Sequence, residues 1–258
     1  MTTVELLEVL WRDYAAAAPH ADAIRYLLAA RGEILRSDHV ALRTLALPGL
    51  GAGALARPFE ALGWRRRERY EFHACVRAWS WQHADPALPR VLISELAVDR
   101  LSAEAQAMIG ALVDQLPPGF GDRGDLAWAG RPWRATHADY RALAAESEYA
   151  AWVVAFGFRV NHFTLDVGAL STFPDLAALG AFLVEHGFDL DDAAGAITGS
   201  RADRLERSAT RAERVRVAFA DATVRIPSCC FELVRRYPLP SGELFAGFSA
   251  ASAGATAA

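Results

Sequence analysis

Hydrophobic and polar positions follow two periods along this chain. Val4, Leu7, Leu10 and Trp11 recur at helical spacing up to about Tyr14, with Thr3 as the expected cap, and Pro19 opens a second helix ending near Gly32. Residues 1–32 are thus expected to be a helical cover. Across 38–47 the apolar residues alternate as in a half-buried strand, which Pro48-Gly49 closes. A helix of small residues then runs to Leu62 and stops on Gly63, alternation across 64–81 predicts a strand pair, and 90–96 predicts another strand. Helical spacing returns at 102–116 with Ser102 as cap, and the Gly-, Asp- and Trp-rich run 120–132 reads as a connecting loop. In the second half the pattern predicts one long linking helix over 137–156, a strand over 158–167 and a helix over 175–185. Closing strands are predicted over 214–220, 223–226 and 228–236, with Asp221-Ala222 as a hairpin turn and 249–258 as a frayed tail.

The pattern repeats. Asp38-His39-Val40-Ala41-Leu42 returns as Asn161-His162-Phe163-Thr164-Leu165, and Leu62-Gly63-Trp64 returns as His186-Gly187-Phe188. The second histidine follows the first by 123 positions, and Gly187 follows Gly63 by 124. Each half also closes on a glutamate, Glu95 and Glu232. These are 137 positions apart, so about 14 residues are expected as an insertion within 189–204. The reading is two modules of strand, helix and strands, about 33–116 and 157–240, within one compact domain. Facing each other, they would bring two histidines and one or two carboxylates to a common centre.

Composition narrows the classes of function. With 53% hydrophobic and 22% charged residues the chain is neither disordered nor made of membrane spans, and a net charge of −4 gives no electrostatic footprint for nucleic acid. Three cysteines form no disulfide framework and no signal peptide is recognised, so a cytoplasmic location is expected. Cys229 and Cys230 read as small core residues, because neighbours on a strand point to opposite faces.

Two neutral imidazoles and one carboxylate are the facial set that suits iron(II), with positions left open for substrate and dioxygen. His39, His162 and Glu232 are the candidate ligands. Glu95 is left as a fourth ligand, a hydrogen-bond partner of the centre, or a remnant of duplication. The other histidines, at 20, 73, 83, 137 and 186, lack the repeat and read as surface or supporting groups. Arg43 shares the face of His39, about 13 Å along the strand. That is too far for a ligand and well placed to pair with a carboxylate of protein or substrate.

At these residues the sequence resembles the bacterial 2-oxoadipate dioxygenase/decarboxylase family, the 2-hydroxyglutarate synthases. The resemblance rests on Asp38-His39-Val40-Ala41-Leu42-Arg43-Thr44, Ile93-Ser94-Glu95-Leu96, Glu146-Ser147-Glu148-Tyr149-Ala150-Ala151-Trp152, Asn161-His162-Phe163-Thr164, Ile226-Pro227-Ser228-Cys229 and Phe231-Glu232, so it spans nearly the whole chain. It implies an α+β fold in which duplicated strand-helix-strand modules form a vicinal-oxygen-chelate-like β-barrel with surrounding helices. It further implies that His39, His162 and Glu232 bind Fe(II), that Arg43 holds a substrate carboxylate, and that 2-oxoadipate and O2 give 2-hydroxyglutarate and CO2 in lysine breakdown. The chain departs from the family's pattern at Thr198-Gly199-Ser200-Arg201 and at Arg207-Ser208-Ala209-Thr210-Arg211, where small polar residues such as Ser208 are expected to orient substrate. Two other functions stand beside this one. A glyoxalase-like lyase or isomerase would use its metal without redox change and would favour Glu95 as a fourth ligand. A binding barrel that only sequesters a small acid would have no need of all three ligands.

Overall fold

Eight strands hydrogen-bond in the order β2-β3-β4-β1-β5-β10-β7-β6, and the sequence repeat is visible in that order. The first half uses β1 (Ser37–Leu45), helix α3 (Ala52–Ala61), β2 (Arg65–His73), β3 (Val76–Gln82) and β4 (Arg90–Leu96); the second uses β5 (Val160–Asp166), α7 (Leu176–Glu185), β6 (Thr198–Ser200), β7 (Leu205–Ala209) and β10 (Glu232–Arg236). In each half the first strand pairs in parallel with the last, β1 with β4 and β5 with β10, and the halves join where β1 runs antiparallel to β5. This computed structural model describes residues 1–73, 75–192 and 196–248. The mixed sheet curls into a half-barrel that ends on β2 and β6, with helices packed against it, in keeping with the expected vicinal-oxygen-chelate-like α+β fold. The expected frayed tail, 249–258, lies outside the described residues.

The helical cover is α1 (Thr3–Ala17) and α2 (Pro19–Ala30). Its cap is Thr2, one residue before the expected Thr3, in a capping box with Glu5. Trp11 and Tyr14 meet the ring of Phe163 at centroid distances of 5.0 and 5.3 Å. Phe163 points outward to α1 because its neighbours His162 and Thr164 point inward, the period-2 alternation of a strand. Glu33, just after α2, accepts four hydrogen bonds from the backbone and hydroxyls of Ser171 and Thr172 and ties the cover to the second half.

Two expectations about elements are corrected. The single helix over 137–156 is two, α5 (His137–Glu146) and α6 (Glu148–Phe156), after α4 (Ala103–Val113). Ser147 between them is extended, and its hydroxyl accepts from the Ala150 N–H, so a serine inside an apparent helix acts as the cap of a new one. The strands over 214–220 and 223–226 do form a hairpin, β8 (Arg214–Ala218) and β9 (Thr223–Pro227), but as a separate two-stranded sheet. Their place in the main sheet belongs to β7, which the alternation did not single out.

Candidate metal centre

His39, His162 and Glu232 meet inside the half-barrel. One ligand atom from each lies within 4.8 Å of the others, and all three residues are buried. Glu232 Oε2 stands 3.2 Å from His39 Nε2 and 3.5 Å from His162 Nε2. Two ligands bonded at about 2.1 Å and subtending about 90–115° at a metal would stand about 3.0–3.5 Å apart, so both Glu232 distances fit one ion. The register explains the convergence: Thr164 pairs with both His39 and Glu232, while His162 pairs with Ala41.

A β-bulge precedes each histidine. The β1–β5 register steps by two residues on β1 between Ser37 and His39, and by two on β5 between Val160 and His162, which leaves Asp38 and Asn161 as the extra residues. A bulge re-aims a side chain that alternation would send to the other face. Asp38 Oδ1 lies 2.8 Å from His39 Nδ1, and Asn161 Oδ1 lies 2.9 Å from His162 Nδ1. Each oxygen accepts the Nδ1–H, so each ring turns its Nε2 lone pair to the centre.

The electrostatics suit a cation. Burial holds the His162 pKa down to about 3, against the pull of Glu232, and keeps this ring neutral at ordinary pH. Burial also opposes charge on His39, but Asp38 and Glu232 outweigh it and raise its pKa. Burial disfavours the Glu232 carboxylate, yet His162, His39 and Arg207 together keep its pKa well below the usual range. Thr164 Oγ1 donates to Glu232 Oε2 at 2.9 Å, and Arg207 donates to Oε1 at 3.0 Å. The loop leading into Glu232 is fixed by Trp152 Nε1 on the Ser228 carbonyl, Ser228 Oγ on the Ala17 carbonyl and Tyr14 OH on the Cys230 carbonyl.

The remaining candidates divide. Arg43 is buried on the face of His39, its guanidinium 4.9 Å from the Tyr149 ring centroid and 5.4 Å from that of Trp152, and it lines a cleft with Trp152, Ser228 and Cys230. Glu95 stands apart from the triad. It pairs with Thr44, one step out of phase with Arg43, and its carboxylate accepts from Ala52 N–H at 2.8 Å and Arg77 Nε at 2.6 Å. It caps α3, and the capping position is Gly51, where a Cβ would stand 2.9 Å from Glu95 Oε2. The position that matches Glu232 in register is Leu92, opposite Ala41, so among the described residues the first half supplies no carboxylate to the triad.

Ser208 is the remaining candidate. On β7 it pairs with Leu233, while Arg207 and Ala209 pair with Val234 and Glu232, so alternation turns Ser208 outward, away from the triad. Arg207 takes the inward place. The only sequence signal for it was the departure of Arg207-Ser208-Ala209-Thr210-Arg211 from the family's pattern. Cys229 and Cys230 are buried free thiols; burial pushes Cys229 up to about 12 and raises Cys230 as well, as expected of core residues. His20 bonds Thr210, His83 packs on Trp64, His137 packs on Phe219 and His186 bonds the Phe182 carbonyl, all outside the triad. The His73 side chain lies outside the described residues.

Comparison with known proteins places this geometry. The family model of 2-oxoadipate dioxygenase/decarboxylase matches residues 5–116 and 126–237. The chloroplastic 2-oxoadipate dioxygenase/decarboxylase of Arabidopsis thaliana is 31% identical over 223 residues, 79% of this chain and 59% of that protein, so this chain spans less than two thirds of that relative's length. Among solved structures, the hydroxyglutarate synthase of Oryza sativa in complex with 2-oxoadipate superposes with a TM-score of 0.91 at 27% identity, covering 98% of this chain and 91% of that one. A Shewanella frigidimarina protein, provisionally named a hydrolase, gives 0.91 at 39% identity, covering 95% and 97%. A glyoxalase-superfamily protein from Ralstonia eutropha, at 0.73 and 24% identity over 93% and 83%, shares the fold.

Proposed function

The chain belongs to the 2-oxoadipate dioxygenase/decarboxylase family, and from that premise we propose that it is an iron(II)-dependent dioxygenase and decarboxylase acting on a dicarboxylic 2-oxo acid. The substrate proposed is 2-oxoadipate, which with one O2 gives 2-hydroxyglutarate and one CO2, a step of lysine breakdown. The observation that carries the reading is the convergence of His39 Nε2, His162 Nε2 and Glu232 Oε2 within one buried site.

Iron(II), when bound, supplies the electrons that activate dioxygen and a point of chelation for the 2-oxo acid. The protein's part is to hold and orient. Asp38 and Asn161 fix the two imidazoles, and Thr164 and Arg207 fix the carboxylate. Arg43, with its planar cation set between Tyr149 and Trp152, pairs with the distal carboxylate of the substrate. Ala41 and Leu92, paired on the same face as His39, are apolar neighbours that limit water around the reacting carbon. Free thiols at Cys75, Cys229 and Cys230 support a reducing compartment such as the cytoplasm. Glu95, on β4, caps the N-terminus of α3 and so lends the non-redox lyase reading no support.

The test is anaerobic reconstitution with iron(II), followed by oxygen uptake and CO2 release with a panel of 2-oxo acids. Stoichiometric uptake with 2-oxoadipate, greater than with 2-oxoglutarate, is the expected result. Absence of uptake with every 2-oxo acid overturns the proposal, and a metal-dependent isomerisation of an aldehyde adduct would put the lyase in its place.

A further inference from the structure

The two oxygens of Glu232 face different partners. Oε2 points to the histidine Nε2 atoms and accepts from Thr164. Oε1 accepts from Arg207 NH1 at 3.0 Å, and NH2 of the same guanidinium reaches Thr198 Oγ1 at 3.3 Å. Arg207 is 3% exposed and belongs to β7, the strand hydrogen-bonded to the one that carries Glu232. Glu232 is therefore oriented from the side away from the histidines by a buried cation with a fixed planar fork.

Denticity decides how much of a metal's coordination sphere remains free. A six-coordinate ion held by two imidazoles and one carboxylate oxygen keeps three places, two for a chelating 2-oxo acid and one for dioxygen. A carboxylate that turned both oxygens to the ion would leave two. The chelating substrate would then fill the sphere. From the division of Glu232 between Arg207 and the histidines we infer that Arg207 is a positioning residue that restricts Glu232 to one-oxygen ligation and so preserves the third open place. This rests on the iron(II) dioxygenase reading of the centre.

The test uses cobalt(II) in place of iron(II), without oxygen, because its visible absorption reports coordination number. In the wild-type protein 2-oxoadipate is expected to shift the cobalt bands on binding. In Arg207→Met the substrate-free spectrum is expected to change already, the affinity for 2-oxoadipate to fall about tenfold or more, and cobalt affinity to stay within about threefold or tighten. Arg207→Gln, which keeps an N–H donor for Oε1 without the charge, is expected to restore the wild-type spectrum. A Met variant with unchanged spectrum and substrate affinity overturns the inference, and so does a Gln variant that behaves like Met. Should Arg207→Met fail to fold by circular dichroism, Arg207→Lys decides. It keeps a buried cation but not the directed planar N–H donor that Arg and Gln share, and an affinity for 2-oxoadipate equal to wild type then overturns the inference, whereas a fall of about threefold or more supports it. If the wild-type cobalt protein gives no response to any 2-oxo acid, the functional reading fails and takes this inference with it. If wild type responds and the Met variant responds equally, only the role of Arg207 fails.

Discussion

Asp38 and Arg236, 198 positions apart in the chain, form a buried two-point pair, Nε to Oδ2 at 2.6 Å and NH2 to Oδ1 at 2.9 Å. The same carboxylate holds His39 Nδ1 and receives Arg90 at 3.3 Å, while Arg236 also binds the Phe245 and Gly247 carbonyls, with the Phe248 ring packed 4.9 Å from His39. One carboxylate thus orients a candidate metal ligand and neutralises a buried cation. Asp38→Asn is expected to lower metal affinity about 10- to 100-fold, measured by chelator competition, and to destabilise the fold by about 3–5 kcal/mol in urea, since Arg236 loses its counter-charge. Asn161→Ala removes a matching bond to His162 but strands no charge. It should cost about tenfold in metal affinity and only about 1–2 kcal/mol in stability. Equal stability losses in the two variants would count against this division of roles.

Metal binding should release one proton. Asp38 and Glu232 raise the His39 pKa above its ordinary 6.5, so a proton on Nε2 would compete with the ion, whereas burial holds His162 near 3 and leaves it none to lose. Affinity is therefore expected to fall about tenfold per pH unit below the raised His39 pKa and to level off above it, a slope of one in log affinity against pH. The metal-free fold runs the other way. Its stabilisation from His39 is full below about pH 6.5 and is lost as pH rises through the folded-state value. A slope of zero or two in the competition data would refute the assignment of a single displaced proton.

Arg43→Met should separate substrate recognition from metal binding. Loss of one charge-assisted contact in a closed site costs about 2–5 kcal/mol. Metal content is expected to match wild type, while kcat/KM for 2-oxoadipate falls at least about tenfold, with a smaller loss for a neutral 2-oxo acid of similar length. Arg43→Lys should also be impaired, because an ammonium does not reproduce a bidentate fork. Equal losses for charged and neutral substrates would make Arg43 structural, held for its packing on Tyr149 and Trp152.

Glu95→Ala addresses the other carboxylate of the repeat. Removing the cap on the Ala52 N–H and the bond to Arg77 should cost about 1–2 kcal/mol, read as a lower Tm, and leave metal stoichiometry at wild-type level. A fall in bound metal would reinstate Glu95 at the centre.

Residue order along the chain determined much of this protein: that His39 and His162 occupy equivalent strands, that helices follow them, and that a glutamate ends each module, because period and spacing are properties of neighbours in sequence. It also held the Asp or Asn before each histidine, without showing why. Tertiary structure decided which glutamate is a ligand candidate, Glu232 on the inner face and Glu95 on the outer, with Leu92 at the register-matched position. It decided that Arg207 turns inward and Ser208 outward, that Ser147 splits a helix, and that bulges at Asp38 and Asn161 aim two oxygens at Nδ1 atoms. The reason is common to the strand residues. A shift of one residue in register moves a side chain to the opposite face, and that register is set by hydrogen bonds between strands far apart in the chain, as between His39 on β1 and Thr164 on β5.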